Sequence, residues 1–309
     1  MSKAHYVLAR QGFWWSHYPQ AVDHGLQAVA LLERSQEWWW LGQAYWAVGI
    51  NYYFMGDFDL ALEAEGRAHA LGEARGDPRL QTYTDWCSGW ILATRGDWEA
   101  AIAVCQRSLE RSRDAFNTLA ATGWLGFAYR AKGDLARAIP LLDQAIQQLV
   151  QVGYQTLEGG FRAWLGEALY LNCEYEKACI MATQALQMGR ELRSPYTVAY
   201  AQRVLGQIAQ ANGVMSESHA HLSAALDTFT AIQAHFEAGR THLALAELAH
   251  AQGNRDAATA YANNAYALFM ALKTPRYVER TQQFASQCGL VLSNADALPP
   301  EYRSSESLR

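Results

Sequence analysis

Histidines at two short spacings in the second half of the chain are the first candidates for metal binding or acid–base chemistry. His219 and His221 stand two residues apart on a predicted helix, so their side chains point in different directions and cannot hold one ion together. His242, Glu247 and His250 could share one helix face over two turns. No nucleophile or phosphate loop accompanies them, so a solvated or partner-contacting face is the favoured interpretation.

The cysteines and Gly159-Gly160 offer no stronger signal of chemistry. Cys173 and Cys179 are six residues apart, which matches no zinc-binding spacing. The five cysteines, an odd number without framework spacing, indicate reduced thiols in a cytosol. Gly159-Gly160 opens a predicted helix but lacks the Gly-Lys-Ser/Thr sequence of a phosphate-binding loop. We therefore expect no enzyme, no metal and no cofactor.

Tryptophan is concentrated in the N-terminal part of the chain, where it indicates binding. Ten of the eleven tryptophans precede residue 125. Large aromatic side chains bury much area at a low entropic cost, which is why binding hot spots are rich in them. The ten are Trp14, Trp15, Trp38, Trp39, Trp40, Trp46, Trp86, Trp90, Trp98 and Trp124. Where these side chains point depends on the helices that carry them.

A ladder of small residues locates those helices. Small residues, here named the markers, recur at intervals of 40 residues, with one interval of 37. Further small residues stand 12 and 19 residues after each marker, so 19 of the 21 positions are Ala or Gly and two are Ser. Such self-similarity is typical of a repeat solenoid, in this case one of seven copies. The markers are Ala9, Gly49, Gly89, Gly126, Gly166, Gly206 and Ala246.

Each copy is predicted to form two antiparallel helices. In the fourth copy, helical spacing of apolar residues covers 119–132, stops at Gly133-Asp134 and resumes over 135–152. Glycine can end the first helix in the left-handed conformation, and aspartate can cap the second. Ser16 and Cys173 stand at this break in the first and fifth copies. Small residues at the ladder positions let the two helices cross closely.

These features resemble the tetratricopeptide repeat (TPR) family. Its motif is reproduced in the fourth copy by Trp124-Leu125-Gly126, Tyr129, Gly133-Asp134, Ala138 and Ala145. Repeats of 40 residues exceed the family's unit of about 34 residues, so they resemble a long-helix subgroup. The later copies are similar to repeat arrays of bacterial ATPase-type regulators and nucleotide cyclases. The resemblance implies an all-α, right-handed superhelical solenoid of seven antiparallel helix pairs with a C-terminal capping helix.

The ladder divides the chain into seven copies, one further helix and a tail. We expect the capping helix at residues 279–291, because the last apolar face of a solenoid needs a cover. Two prolines and several serines predict a disordered tail at residues 292–309. The copies are predicted at residues 2–41, 42–81, 82–118, 119–158, 159–198, 199–238 and 239–278.

In the TPR family the first helix of each pair lines the concave side of the array, and the markers give the phase of that helix. Positions −6, −3, +1 and +4 relative to a marker form one helix face. This face is aromatic in the N-terminal copies and charged or polar in the C-terminal ones. The predicted partner-binding groove consists of Tyr6, Arg10, Trp46, Tyr53, Tyr83, Trp86, Trp90, Phe127, Arg130, Tyr170, Tyr200, Arg203 and Arg240.

The same phase separates two groups of tryptophans. Trp46, Trp86 and Trp90 lie on the face and are predicted to line the groove, although a role as core filler stays open. A structural role is predicted for those off the face, which are Trp15, Trp38, Trp40, Trp98 and Trp124. The arginines at 130, 203 and 240 are expected to engage acidic side chains or a C-terminal carboxylate of the partner.

Composition and charge exclude several classes of protein. A formal net charge of −5, from 25 Lys and Arg against 30 Asp and Glu, provides no basic stripe for nucleic-acid binding. No run of about 18 apolar residues exists to span a membrane, and residues 1–11 contain no apolar signal core. We therefore expect a cytoplasmic protein whose partner is a protein or peptide. Self-association stays open, since an exposed aromatic patch also suits a second copy.

Two functions from different classes fit these observations. The first is a non-catalytic scaffold that binds a protein or peptide in the aromatic-rich concave groove. The alternative is a regulatory sensor module that binds a small ligand or signalling peptide, as part of a larger bacterial regulator. An open trough would favour the scaffold, whereas a closed, deep cavity at copies two to four would favour the sensor.

Overall fold

The chain is helical throughout the residues that the computed structural model describes, which are 1–293 and Tyr302. Fifteen helices follow one another in this part of the chain, packed in sequential pairs, and the predicted all-α fold is confirmed. They are α1 Ser2–Trp15, α2 Tyr18–Leu32, α3 Trp38–Met55, α4 Phe58–Arg75, α5 Pro78–Arg95, α6 Trp98–Arg111, α7 Ala115–Lys132, α8 Leu135–Val152, α9 Gln155–Leu171, α10 Tyr175–Glu191, α11 Pro195–Ala211, α12 Met215–Ala231, α13 His235–Ala251, α14 Arg255–Ala271 and α15 Pro275–Gln287.

From the second pair onward, each pair begins a few residues before its predicted start, as at α3, which begins at Trp38 instead of residue 42. The break within a pair has the predicted form. Gly96 ends α5 with a φ of 105°, and Ser16 and Cys173 adopt positive φ at the same place without being glycine. Asp134 caps α8 by accepting a bond from the backbone N–H three residues on. These turns reverse the chain so that the two helices of a pair are neighbours.

Glycine markers lie where the two helices of a pair touch. A Cβ on Gly49 would lie 3.1 Å from the carbonyl oxygen of Ala61, and one on Gly89 would overlap the sulfur of Cys105. The facing ladder residues Ala61 and Ala101 are fully buried. A larger side chain at either position of the contact would force the backbones apart. The ladder therefore reports close helix crossing inside each pair.

Gly89→Ala is expected to lower the free energy of unfolding by about 1–3 kcal/mol, because the added methyl group overlaps Cys105 and must displace it. The matched control is Gly66→Ala in α4, where nothing lies within 4 Å of an added Cβ. There the higher helix propensity of alanine should raise stability by about 0.5–1 kcal/mol. Urea unfolding followed by tryptophan fluorescence measures both variants, and shifts of equal sign would contradict the close crossing.

The chain divides into two compact units, Met1–Phe161 and Arg162–Arg309, which are described separately. In unit 1, the first helices of four pairs pack on one another in order, α1 on α3, α3 on α5 and α5 on α7. In unit 2, α11 packs on α13 in the same manner, and α15 packs on α14. None of the helices described has both the length and the apolar character that a membrane crossing requires.

The end of unit 2 is covered by α15 and the residues that follow it. Ala285 and Leu290 join a buried apolar cluster with alanines of α13 and α14. Tyr302 is 2% exposed, and its hydroxyl lies 3.1 Å from Nε2 of His242 and 3.0 Å from Oγ1 of Thr230. The disordered tail predicted at 292–309 lies outside the described residues, apart from residues 292, 293 and Tyr302.

Candidate functional site

Unit 1 contains a cavity of about 90 Å³ that is lined mainly by aromatic side chains. Its walls come from α1, α3, α5, α7 and the start of α9, so each contributing helix is the first of its pair. Trp46 of α3, Tyr83, Trp86 and Trp90 of α5, and Trp124 of α7 are among its lining residues. We name this cavity the aromatic pocket.

The indole N–H groups of two pocket tryptophans are bonded to groups outside the pocket lining. Trp46 Nε1 donates to the sulfur of Cys87 at 3.1 Å, and Trp86 Nε1 donates to Oδ1 of Asn117 at 3.1 Å. Cys87 and Asn117 are themselves buried. These bonds satisfy the polar edge of each indole and fix its orientation, which leaves apolar ring surface toward the cavity.

The rings that line the pocket also pack on one another. Trp124 stacks on Trp90 with ring centroids 4.0 Å apart and on Trp86 with centroids 5.7 Å apart. Trp46 packs on Tyr83 at 5.1 Å. Each of the four tryptophans is at least 95% buried. They are therefore core and pocket wall at once, and substituting any of them perturbs both stability and the cavity.

Two tryptophans off the predicted face, Trp124 and Trp15, differ in how they fit their predicted structural role. Trp124 is 2% exposed, as a structural role requires, and it also lines the pocket. A Cβ on the preceding residue, Gly123, would overlap the ring of Phe161, and Trp124 packs on the same ring with centroids 5.6 Å apart. Trp15 does not fit its predicted structural role, because the residue is 54% exposed.

Residues at the edge of the pocket were missed by the sequence prediction. Phe116 and Tyr154 line the pocket and pack edge to face, with ring centroids 5.4 Å apart. Tyr154 is 37% exposed and belongs to the turn before α9. Phe116 lies one helical turn before the predicted face, at position −10 relative to its marker, so extending that face by a turn would have found it.

The lining contains one charged side chain, Arg10, together with Phe13 and Trp14 of the same helix. The Arg10 guanidinium leans toward Tyr6, with its central carbon 5.9 Å from the ring centroid. Tyr6 is buried and its hydroxyl donates to Oε1 of Gln43 at 3.3 Å. Burial raises the pKa of Tyr6, against the opposing effect of Arg10, so the phenol stays neutral. The result is a positively charged edge on an apolar pocket.

The other predicted groove residues of unit 1 lie outside the lining. Tyr53 is buried behind the pocket, bonded to Oγ1 of Thr94 at 3.1 Å and packed on Trp90 at 4.2 Å. Phe127 packs on Trp124 at 5.9 Å, and the guanidinium of Arg130 lies 4.5 Å from the Phe127 ring. Their side chains support the wall of the pocket or flank it.

The charged residues predicted for the groove in unit 2 form a buried ionic cluster. Arg240 bonds to Oε1 of Glu167, and its Nη1 lies 3.3 Å from Oε2 of Glu237. Arg203 bonds to the same oxygen of Glu237, while the hydroxyl of Tyr200 donates to Glu167. Burial alone would lower the pKa of Arg240, but the surrounding groups, with Glu167 foremost, hold that pKa well above its usual range. We name these five residues the charge cluster.

The charge cluster alters how its arginines can act. Arg203 is 1% exposed, and both arginines are paired with glutamates of the chain itself. Engagement of a partner's carboxylate by Arg203 or Arg240 stays a prediction and would require exchange of these internal partners. Tyr170, also predicted for the groove, packs on Tyr175 at 5.9 Å, and burial raises its pKa to about 12.

The sequence matches no protein-family model and no curated protein, whereas solved structures match its fold. A Rap protein complexed with Competence and Sporulation Factor is 13% identical and has a TM-score of 0.68, over 94% of this chain and 82% of that chain. The Rap conjugation gene regulator of the plasmid pLS20, in complex with the Phr* peptide, is 15% identical and has a TM-score of 0.69, over 95% of this chain and 76% of that chain.

A third similar structure is a signal transduction ATPase with a tetratricopeptide repeat sensor from Pyrococcus horikoshii. It is 18% identical and has a TM-score of 0.57, over 86% of this chain and 43% of that chain. At such identities the likeness concerns the fold. This chain has the TPR-like fold that its repeat ladder implied, shared with bacterial regulators of the Rap type and with a TPR sensor.

Proposed function

We propose that this chain is a regulatory sensor module that binds a short signalling peptide, with the aromatic pocket of unit 1 holding one anchor side chain. The observation that carries the proposal is the pocket itself. Its walls are stacked aromatic rings held by internal hydrogen bonds, so a ligand meets a preformed surface and loses little binding energy to reorganisation. A cytoplasmic location and a place within a larger bacterial regulator belong to the same proposal.

The size of the pocket favours a peptide side chain over a whole small molecule. Sites that enclose drug-sized ligands measure about 300–1,000 Å³. The aromatic pocket measures about 90 Å³, which suits one side chain and leaves the rest of the ligand outside. An extended peptide anchored by one residue in this manner resembles common modes of peptide recognition.

The similar solved structures support the sensor over the general scaffold. Two of them are regulators whose structures contain Competence and Sporulation Factor or the Phr* peptide, and a third carries a TPR sensor. The pocket takes in the second to fourth copies, where a cavity is expected to favour the sensor, and residues of the first copy add to its wall. A scaffold for a long partner would need an open trough instead. We infer a binding role without catalysis, since the described lining of the pocket contains no carboxylate or histidine to act as acid or base.

The proposal is tested with an array of synthetic hexapeptides that are tethered through their N-termini. Wild-type protein is compared with the double variant Phe116→Ala/Tyr154→Ala, which removes the partly exposed edge of the pocket. Peptides retained by the wild type are expected to bind the double variant at least about tenfold more weakly, as for loss of hot-spot contacts.

The control is Trp15→Ala, which removes an exposed tryptophan that does not line the pocket. It should leave the retained peptides and their affinities unchanged. Circular dichroism and thermal unfolding check that both variants fold. An array from which the wild type retains no peptide, or peptides that bind the double variant equally well, would remove the basis of the proposed function.

A further inference from the structure

We propose that the aromatic pocket recognises an aromatic group that bears a carboxylate, presented by the C-terminal residue of the bound peptide, with Arg10 pairing the carboxylate. This inference rests on the proposed function and specifies its ligand. It concerns the chemistry of the end of the peptide, which the pocket lining and its single charge define.

Charge complementarity favours an anionic ligand. Arg10 is exposed at the pocket with its guanidinium beside the ring of Tyr6, and no carboxylate of the described residues forms an ion pair with it. The lining includes no Asp or Glu. An aromatic cage can also bind a cation through the faces of its rings. In this pocket a bound cation would lie beside the guanidinium without a compensating anion, so the like charges would oppose it.

The shape and size of the cavity favour an aromatic anchor. A dry cavity of about 150 Å³ can enclose benzene, and one water needs about 10–15 Å³. The aromatic pocket, at about 90 Å³, is smaller than that cavity but open at the edge formed by Phe116 and Tyr154, so a ring can enter there and remain partly outside. Ring edges and faces of Trp46, Trp86 and Trp124 then surround it, which is the geometry that aromatic pairs prefer.

The position of Arg10 links the two parts of the ligand. Arg10, Phe13 and Trp14 stand three and four residues apart on α1 and share a helix face, so the charge and the rings border the same cavity. A guanidinium pairs with a carboxylate through two parallel N–H bonds. In a C-terminal residue the carboxylate is two bonds from the carbon that carries the ring, which places both groups within reach of one pocket.

The test is calorimetric titration of the full chain with four probes. They are N-acetyl-Gly-Gly-Phe with a free carboxylate, the same peptide as its C-terminal amide, N-acetyl-Gly-Gly-Ala with a free carboxylate, and 3-phenylpropionate. The wild type should bind the free Phe peptide about tenfold more tightly than the amide, since a charge-assisted bond is lost. It should bind the Ala peptide at least about tenfold more weakly than the Phe peptide. The preference for the free carboxylate should shrink in 1 M salt, because Arg10 is exposed.

Arg10→Gln should reduce the acid-to-amide preference to about onefold, whereas the control Arg107→Gln, an exposed arginine outside the lining, should keep it. Equal affinity of wild type for acid and amide, or an unchanged preference in Arg10→Gln, overturns the inference. If peptide affinity falls in Phe116→Ala/Tyr154→Ala but is the same for acid and amide, the proposed function is supported and only this inference is overturned. If 3-phenylpropionate binds as tightly as the Phe peptide, the carboxylate chemistry stands and the peptide of the proposed function is overturned.

Discussion

Arg240→Met is expected to lower the free energy of unfolding by about 3–5 kcal/mol, since it removes the arginine that pairs with the buried carboxylate of Glu167 and leaves Glu237 with Arg203. The side chains of Glu167 and Glu237 are 3% and 5% exposed, and both contact Arg240. Methionine preserves the apolar stem of arginine but supplies no donor. Glu167 must then stay charged in a buried site without this cation or take up a proton, and either outcome costs free energy.

The control for this prediction is Arg280→Met in the same unit. Arg280 lies 3.4 Å from Glu247, but the two side chains are 51% and 30% exposed. An exposed pair of this kind contributes about 0–1 kcal/mol. Ten of the eleven tryptophans lie in unit 1, so hydrogen exchange of α10–α13 is the appropriate probe of unit 2. If Arg240→Met and Arg280→Met lowered the free energy of unfolding of unit 2 equally, burial of the charge cluster would not contribute to the stability of this unit.

Acidification between pH 6.5 and 4 is expected to destabilise unit 2 through His235 and His242. Burial lowers the pKa of each histidine from 6.5 to about 4. In this window the unfolded chain binds more protons than the folded chain, so the free energy of unfolding falls as pH falls. The contribution of each neutral histidine to the free energy of unfolding is fully present above pH 6.5. It is lost as the pH falls toward 4, and it amounts to about 3 kcal/mol for each histidine.

The double variant His235→Leu/His242→Gln removes both titrating groups, and glutamine retains a polar group near the hydroxyl of Tyr302. Its stability should change less with pH than that of the wild type, whereas His219→Gln, at an exposed position, should follow the wild type. Unfolding in urea at pH 7, 6 and 5, followed by circular dichroism, gives the comparison. Burial raises the pKa of Glu65, which acts in the opposite sense, so the quantity to compare is the difference between variants. Parallel pH profiles of wild type and double variant would contradict the role of the histidines.

The fold could be predicted from the sequence because steric requirements of helix crossing are local and repeated. Gly89 and Ala101 are small because the two helices of their pair touch at these positions. The same requirement applies in every copy, so the sequence alone shows the regular spacing of small residues. The same regularity gave a helix phase, and this phase placed Arg10, Trp46 and Trp86 on the side that borders the pocket. Their role in binding is still a prediction.

The rest of the site depended on contacts between copies, which no single repeat contains. Trp124 lines the pocket beside Gly123, where a Cβ would overlap Phe161, a residue of the next copy. The pairing of Arg240 with Glu167 joins residues 73 positions apart. The sequence of one copy shows only an arginine on the predicted groove face, which indicates contact with a bound peptide. In the folded chain this arginine is paired with a glutamate of another copy.

A crystal structure of the full chain with the tightest peptide from the hexapeptide array tests the central claim most directly. The account expects one aromatic side chain of the peptide between Trp46, Trp86 and Trp124, with its terminal carboxylate facing Arg10. A peptide bound elsewhere on the chain, with the aromatic pocket left empty, would contradict it.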